Sequence, residues 1–241
     1  AGADQGKVTR VFGANFIGRM SGKVVEAFVA KADLLAASPA YSDQSGVDWK
    51  TAAASAAKVL NHIGGVDGMD PTGWTWYCNV DDIEKLSPTE SPAEILWRGE
   101  RAKSLSLEED NFPPTLYGNG RINPTQNLVD AFPMLNGYPV SHLSGEYDEN
   151  LPYANRDPRL EAYILYNGCK AGNTNKEIFT AADGTTNDAL NKVVGRSTRT
   201  GYYLRKLLRQ DISLDPNAKA DQYHYTPVSY THLRAHETKA N

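Results

Sequence analysis

Apolar residues recur with a helical period twice near the start of the chain, and then the period is lost. In "SGKVVEAFVAKADLLAASP", Val24, Val25, Phe28, Ala32 and Leu35 form one stripe, Ser21 stands where a cap belongs, and Pro39 closes the segment. The next run is denser: Trp49, Ala52, Ala53, Ala56, Val59, Leu60 and Ile63 follow i, i+3, i+4, i+7, i+10, i+11 and i+14. Asp48 precedes it as a cap, and Gly64 and Gly65 follow as a stop. The short connection "SPAYSDQSGV" predicts antiparallel packing, with the alanine-rich face of the second helix admitting the first closely. This is a helical hairpin of tetratricopeptide-like size, and the helical region is assigned to residues 1–66. One such hairpin cannot bury its face alone and needs neighbours. Trp49 and Trp97 lie in apolar-periodic segments and are expected in the core.

From residue 67 to 227 the chain reads as a loop-rich region carrying short strands. "GVDGMDPTGWTWYCN" is a loop of glycines and aromatics, and "SPAEILWRG" a helical turn leading into a strand. Residues 104–123 look irregular, with polyproline and turn signals in "NFPPTLYGNG". "NPTQNLVDAFPMLNGYPV", residues 123–140, begins as a helix and is stopped at once by Pro133, Gly137 and Pro139. Asn123 is the expected cap, Leu128, Val129 and Phe132 the expected buried face, and Gly137 the turn. In "ANRDPRLEAYILYNG", Asp157-Pro158 starts a turn or helix and "AYILY" favours a strand. Residues 168–200 are polar and loop-like, and "TGYYLRKLLRQD" fits either strand or helix. Long ordered loops of this kind tend to be functional.

Composition narrows the chemistry. A hydrophobic content of 40% across 241 residues supports a sizeable core, while 20 Gly, 13 Pro, 13 Tyr and 4 Trp suit long loops pinned by rings. A net charge of −4 without a basic block speaks against nucleic acid as a partner. No apolar run is long enough to span a membrane, and no signal peptide is present, as in a processed protein or a fragment. Cys78 and Cys169 are far apart and in no metal-like spacing; a disulfide and two buried thiols are both open.

No nucleophile elbow, P-loop, dinucleotide fingerprint or zinc spacing occurs, so no catalytic residue, metal or cofactor is assigned. Glu146, Asp148, Glu149 and Asp157 are carboxylates of the kind a glycosidase pairs, but they read more simply as a solvated loop with Asp157 as a cap. Arg156 and Arg159 read as structural, their planar forks suited to loop carbonyls and carboxylates. The aromatics carry more. Trp74, Trp76 and Tyr77 stand in a Gly/Pro-rich loop, and flat rings with a polar tip suit the C–H faces and hydroxyls of sugars. Trp74 and Trp76 alternate, so in an extended loop both face one way. These three are the candidate glycan-stacking residues.

Four ordered segments resemble the SusD/RagB family of outer-membrane nutrient-binding lipoproteins of Bacteroidetes. They are "GKVVEAFVAKADLLAASPAYSD" with "WKTAAASAAKVL", then "NPTQNLVDAFPMLNGYPV", "YANRDPRLEAYILYNG" and "TRTGYYLRKLL", covering about Gly18 to Tyr225. The resemblance implies a mainly α fold: a tetratricopeptide-like helix hairpin packed with a loop-rich SusD-like subdomain carrying short strands. It implies a non-catalytic, lipid-anchored protein of the outer-membrane surface that binds oligosaccharide and works with a SusC-like TonB-dependent transporter. The signal peptide, lipidated cysteine, first helical repeats and the family's helix expected after about Tyr225 have no counterpart here, as in a truncated reading frame. "VSYTHLRAHET", residues 228–238, resembles a translated transposase sequencing adapter, so 228–241 is set aside as a non-native tail, and His232 and His236 with it. A helical-repeat scaffold for protein partners and a glycoside hydrolase using the acidic loop are the alternatives.

Overall fold

The computed structural model describes residues 20–69, 101–218 and 224–227. The chain packs as two compact units; residues 20–69 fall in the first and 103–218 in the second. The described elements are mostly helical, with a few short strands.

The first unit is the helical hairpin. Helix α1 is Gly22–Ala36, α2 a single turn at Ser42–Ser45, and α3 Trp49–Leu60. Ser21 occupies the cap position of α1 without a side-chain cap bond. Asp48 caps α3, its Oδ1 accepting from the Thr51 amide at 2.8 Å and the Thr51 hydroxyl at 2.7 Å. Beyond Leu60 the chain tightens into a 3-10 turn, Asn61–Ile63, ended by Gly64 at φ +92°. The pairs Glu26–Lys58, Glu26–His62 and Asp33–Ser55 run in opposite chain directions, so α1 and α3 are antiparallel.

The buried face of α1 is not the expected stripe. Val24, Ala27 and Ala30 are buried, whereas Val25, Phe28 and Leu35 are exposed. The contact is built on Ala27, Ala30 and Val59, with Leu60 and Ile63 packed alongside. Small side chains let the two backbones approach, and large ones at that contact would hold them apart. Trp49 is likewise 51% exposed rather than in the core; an indole does not fit between helices that meet through alanines.

The second unit contains α4 (Ser106–Asn111), α5 (Gln126–Ala131) and α6 (Pro158–Tyr163). Helix α4 lies in a stretch expected to be irregular; buried Glu108 accepts the Arg209 amide at 3.0 Å, a support that no local pattern announces. Its strands pair as β2 (Ile164–Leu165) with β5 (Tyr203–Leu204) and β3 (Lys170–Ala171) with β4 (Lys176–Glu177); elsewhere among the described residues β1 (Arg101–Ser104) pairs with β6 (His224–Pro227). In the antiparallel β2–β5 pair, Ile164 faces Leu204 and Leu165 faces Tyr203. The main core gathers Phe112, Leu116, Leu165, Ile178, Tyr203 and Leu208; a second cluster joins Val129, Leu160, Ile164 and Tyr202.

Cys169 is buried and free, which settles one of the two readings of the cysteines. Its sulfur accepts the Tyr166 amide at 3.3 Å, and burial pushes the thiol up to about 11.

Candidate functional site

The 123–140 stretch does form the short helix expected of it, but with a different cap. Thr125, not Asn123, takes the cap position of α5, its hydroxyl accepting the Leu128 amide at 3.3 Å. Asn123 is held elsewhere: its Nδ2 donates to the Gly120 carbonyl at 2.9 Å and its Oδ1 accepts the Arg199 amide at 3.1 Å. Val129 is buried, Phe132 is half-buried, and Leu128 is 48% exposed, so the helix docks on one residue more than on three. Six residues make too little helix to bury two adjacent positions against one surface.

Beyond α5 the chain forms a loop on a closed neck. Residues 133–135 run antiparallel to 155–157: the Asp157 amide donates to Pro133 at 2.9 Å, and the Leu135 amide to Asn155 at 2.8 Å. Arg156 fills the neck. Its guanidinium donates to the carbonyls of Val129 (2.7 Å), Phe132 (2.8 Å) and Pro152 (2.9 Å), and it lies 5.8 Å from the centre of the Tyr147 ring. Those three carbonyls come from the end of α5 and from the turn that precedes the returning limb, so one side chain ties both limbs together.

Within the loop, Gly137 at φ +86° turns the chain, and Gly145 lies where a Cβ would meet the Pro139 carbonyl oxygen at 2.8 Å and Met134 Cγ at 3.2 Å. Asn136 donates to the Ser144 carbonyl at 2.9 Å and accepts the Tyr138 amide at 3.2 Å. His142 Nδ1 accepts the Ser144 amide at 3.1 Å, which orients the imidazole. The Tyr138 and His142 rings stack with centroids 4.7 Å apart and planes 18° from parallel. Tyr138 is 45% exposed and His142 is exposed beside it, while Leu143 at the tip is 99% exposed. The result is a flat aromatic surface in solvent, fixed by backbone bonds rather than by burial.

The acidic residues divide as the sequence suggested. Glu146, Asp148 and Glu149 are exposed, and Asp148 accepts the Asn150 amide at 2.9 Å in a local turn. Asp157 caps α6, accepting the Arg159 amide and Nε at 2.8 and 2.9 Å. Burial alone would raise the Asp157 pKa; the hydrogen bonds and charge of Arg159 outweigh it and hold the carboxyl below its ordinary value. Among the described residues no three metal-ligating side chains cluster, and no helix is long and apolar enough to cross a membrane. Trp74, Trp76 and Tyr77 lie outside the described residues, as do Trp97 and Cys78. The Tyr138–His142 pair was missed in the sequence because the stack depends on turn bonds within the loop, which no periodic pattern announces.

The SusD family model matches residues 96–234, more than half of the chain and every element of the loop and its neck. The chain belongs to the SusD family. Two solved structures from Bacteroides fragilis are similar to this SusD-family chain. One is a SusD-like carbohydrate binding protein, 20% identical, with a TM-score of 0.63, covering 90% of this chain and 39% of that one. The other is a SusD-like protein, also 20% identical, with a TM-score of 0.58, covering 91% of this chain and 43% of that one. The chain thus spans about two fifths of the length of either structure. No curated protein matches it.

Proposed function

We propose that this SusD-family chain is the glycan-binding portion of a surface nutrient-capture protein, holding oligosaccharide without chemical change and passing it to a SusC-like TonB-dependent transporter. The observation that carries the reading is the exposed Tyr138–His142 stack on a loop whose neck is fixed by Arg156. A pre-set flat ring pair binds the C–H face of a pyranose with little ordering cost, and surrounding loop polar groups bond its hydroxyls. Family membership and the carbohydrate-binding relative support the same ligand class. Trp74, Trp76 and Tyr77 are proposed as a further stacking element, with helical residues 1–66 supporting the loop-rich residues 67–227, and 228–241 contributing nothing. In this reading the parent protein sits at the outer-membrane surface on a lipid anchor.

Glycan-array screening followed by calorimetry tests it. Tyr138→Ala and His142→Ala should each weaken binding by roughly fivefold, about 1 kcal/mol for one ring contact. Unchanged affinity in both variants removes the stack from the site, and unchanged affinity in Trp74→Ala and Trp76→Ala removes those rings. Turnover of a polysaccharide that is lost in Asp148→Ala would replace binding with hydrolysis.

A further inference from the structure

Tyr117 has a backbone that a large side chain avoids and a ring that the core does not use. It closes the 3-10 turn Pro114–Leu116 at φ +67°, in the left-handed region where glycine is the ordinary choice. Its neighbour Leu116 is buried in the main core, but Tyr117 itself is 43% exposed. A bulky residue kept in such a conformation points to a use for its side chain.

Two further segments of the second unit converge on that ring. The hairpin of β3 and β4 is pressed onto the turn: a Cβ on Gly172 would meet Leu116 Cδ2 at 2.8 Å, so the hairpin backbone sits directly against it. From β4, Lys176 places its ammonium 5.3 Å from the centre of the Tyr117 ring, with one long contact to the Thr115 carbonyl at 3.5 Å. From the segment after the core strands, Asp215 accepts the Tyr117 hydroxyl at 3.2 Å, and its other oxygen accepts the Asn217 amide at 2.9 Å. The charge of Asp215, and then the hydrogen bond to it, raise the Tyr117 pKa above its ordinary value.

We propose that Tyr117, Lys176 and Asp215 form a second saccharide subsite, distinct from the Tyr138–His142 stack. It takes one hexopyranose residue of an oligosaccharide. The sugar stacks on the exposed part of the Tyr117 ring, one hydroxyl accepts from the Lys176 ammonium, and a neighbouring hydroxyl donates to the Asp215 carboxylate. A cation and a carboxylate flanking one ring match a vicinal diol, in which each hydroxyl both donates and accepts. The inference rests on the glycan-binding reading above.

Calorimetric titration of the full chain with maltohexaose, cellohexaose and mannohexaose tests it, alongside urea unfolding of each variant. At least one hexaose should bind the wild type, and Tyr117→Gly should weaken that sugar by about fivefold or more, the size of one lost ring contact. The unfolding midpoint of Tyr117→Gly should be unchanged or higher, because glycine relieves the left-handed turn. Tyr117→Phe should stay within about twofold of wild type, since it keeps the ring. Lys176→Gln and Asp215→Asn should each weaken binding under conditions where the unfolding curve shows the variant fully folded. A lower midpoint in Tyr117→Gly with intact sugar binding makes the residue structural and overturns the subsite alone, as does binding insensitive to Tyr117→Gly, Lys176→Gln and Asp215→Asn together. Failure of all three sugars to bind the wild type overturns the glycan reading and the subsite with it.

Discussion

Arg156 is buried, and among the described residues its guanidinium is met by carbonyl oxygens and the Tyr147 ring rather than by a carboxylate. A buried cation without a counter-charge is tolerated when several polarised acceptors surround it, and here three carbonyls do so. Lysine supplies a point charge and no planar fork, so it cannot reach all three. Arg156→Lys should therefore destabilise the chain by about 2 kcal/mol, and Arg156→Ala by about 3 kcal/mol, in urea unfolding. A midpoint that does not move in either variant would show that the neck closes without this side chain. At this scale the sequence was legible at the two aspartate caps, whose partners lie within three residues. Asp48 and Asp157 cap the helices after them, as their positions before Trp49 and Pro158 suggested. Asn123 was the expected cap for α5. Arg199, 76 positions on, claims Asn123 and leaves the role to Thr125, and nothing local announces that.

The α1–α3 pair shows what periodicity carries for an element and where it stops. Both helices form, antiparallel, with ends at Asp48 and Gly64 as the pattern indicates. The rotation of α1 about its axis did not follow from the pattern. Two apolar faces compete along it, and the alanine face wins because it permits the closer approach. The rotation also decides the charges between the helices. It sets Glu26 against Lys58 at 2.8 Å and His62 at 2.5 Å. The bond to Lys58 first, then that to His62, holds the Glu26 carboxyl below its ordinary value of 4.5. A carboxyl lowered in the folded state stabilises it above that ordinary value, and the contribution fades as pH falls through the folded value. Helix content followed by circular dichroism should thus be less heat-resistant at pH 3 than at pH 7, and Glu26→Gln should shrink that difference. The pair is partly exposed, so added salt should shrink it as well. An identical pH dependence in Glu26→Gln would assign the acid sensitivity to other groups.

Across the whole molecule, long-range bonds hold loops that have no repetitive structure. Tyr203 is the clearest case. Its ring is fully buried in the main core, and its hydroxyl donates to the Asp188 carbonyl and accepts the Thr198 amide, each at 2.9 Å. The Asp188 carboxylate in turn accepts the Thr115 amide at 2.8 Å, so three segments distant in sequence meet there. Tyr203→Phe keeps the packing and leaves two buried backbone groups unpaired. It should lower stability by about 1–3 kcal/mol in urea unfolding with an unchanged slope, because the folded and unfolded surfaces stay alike. A loss well under that range would mean that the 187–198 loop finds other partners.

Sequence alone was enough for the helical hairpin, its Asp48 cap, the short helix at 126–131, the loop-rich character of the second unit and the family. Each of these depends on neighbours within one or two turns, or on the order of segments along the chain. The tertiary structure decided which face of α1 is buried, that Cys169 is free, which residue caps α5, and which rings stack. Those outcomes are set by which distant groups reach a position first. Tyr138 and His142 stack on a loop whose neck Arg156 closes through the carbonyls of Val129, Phe132 and Pro152. That closure joins two limbs of the chain more than twenty residues apart, beyond the reach of any local pattern.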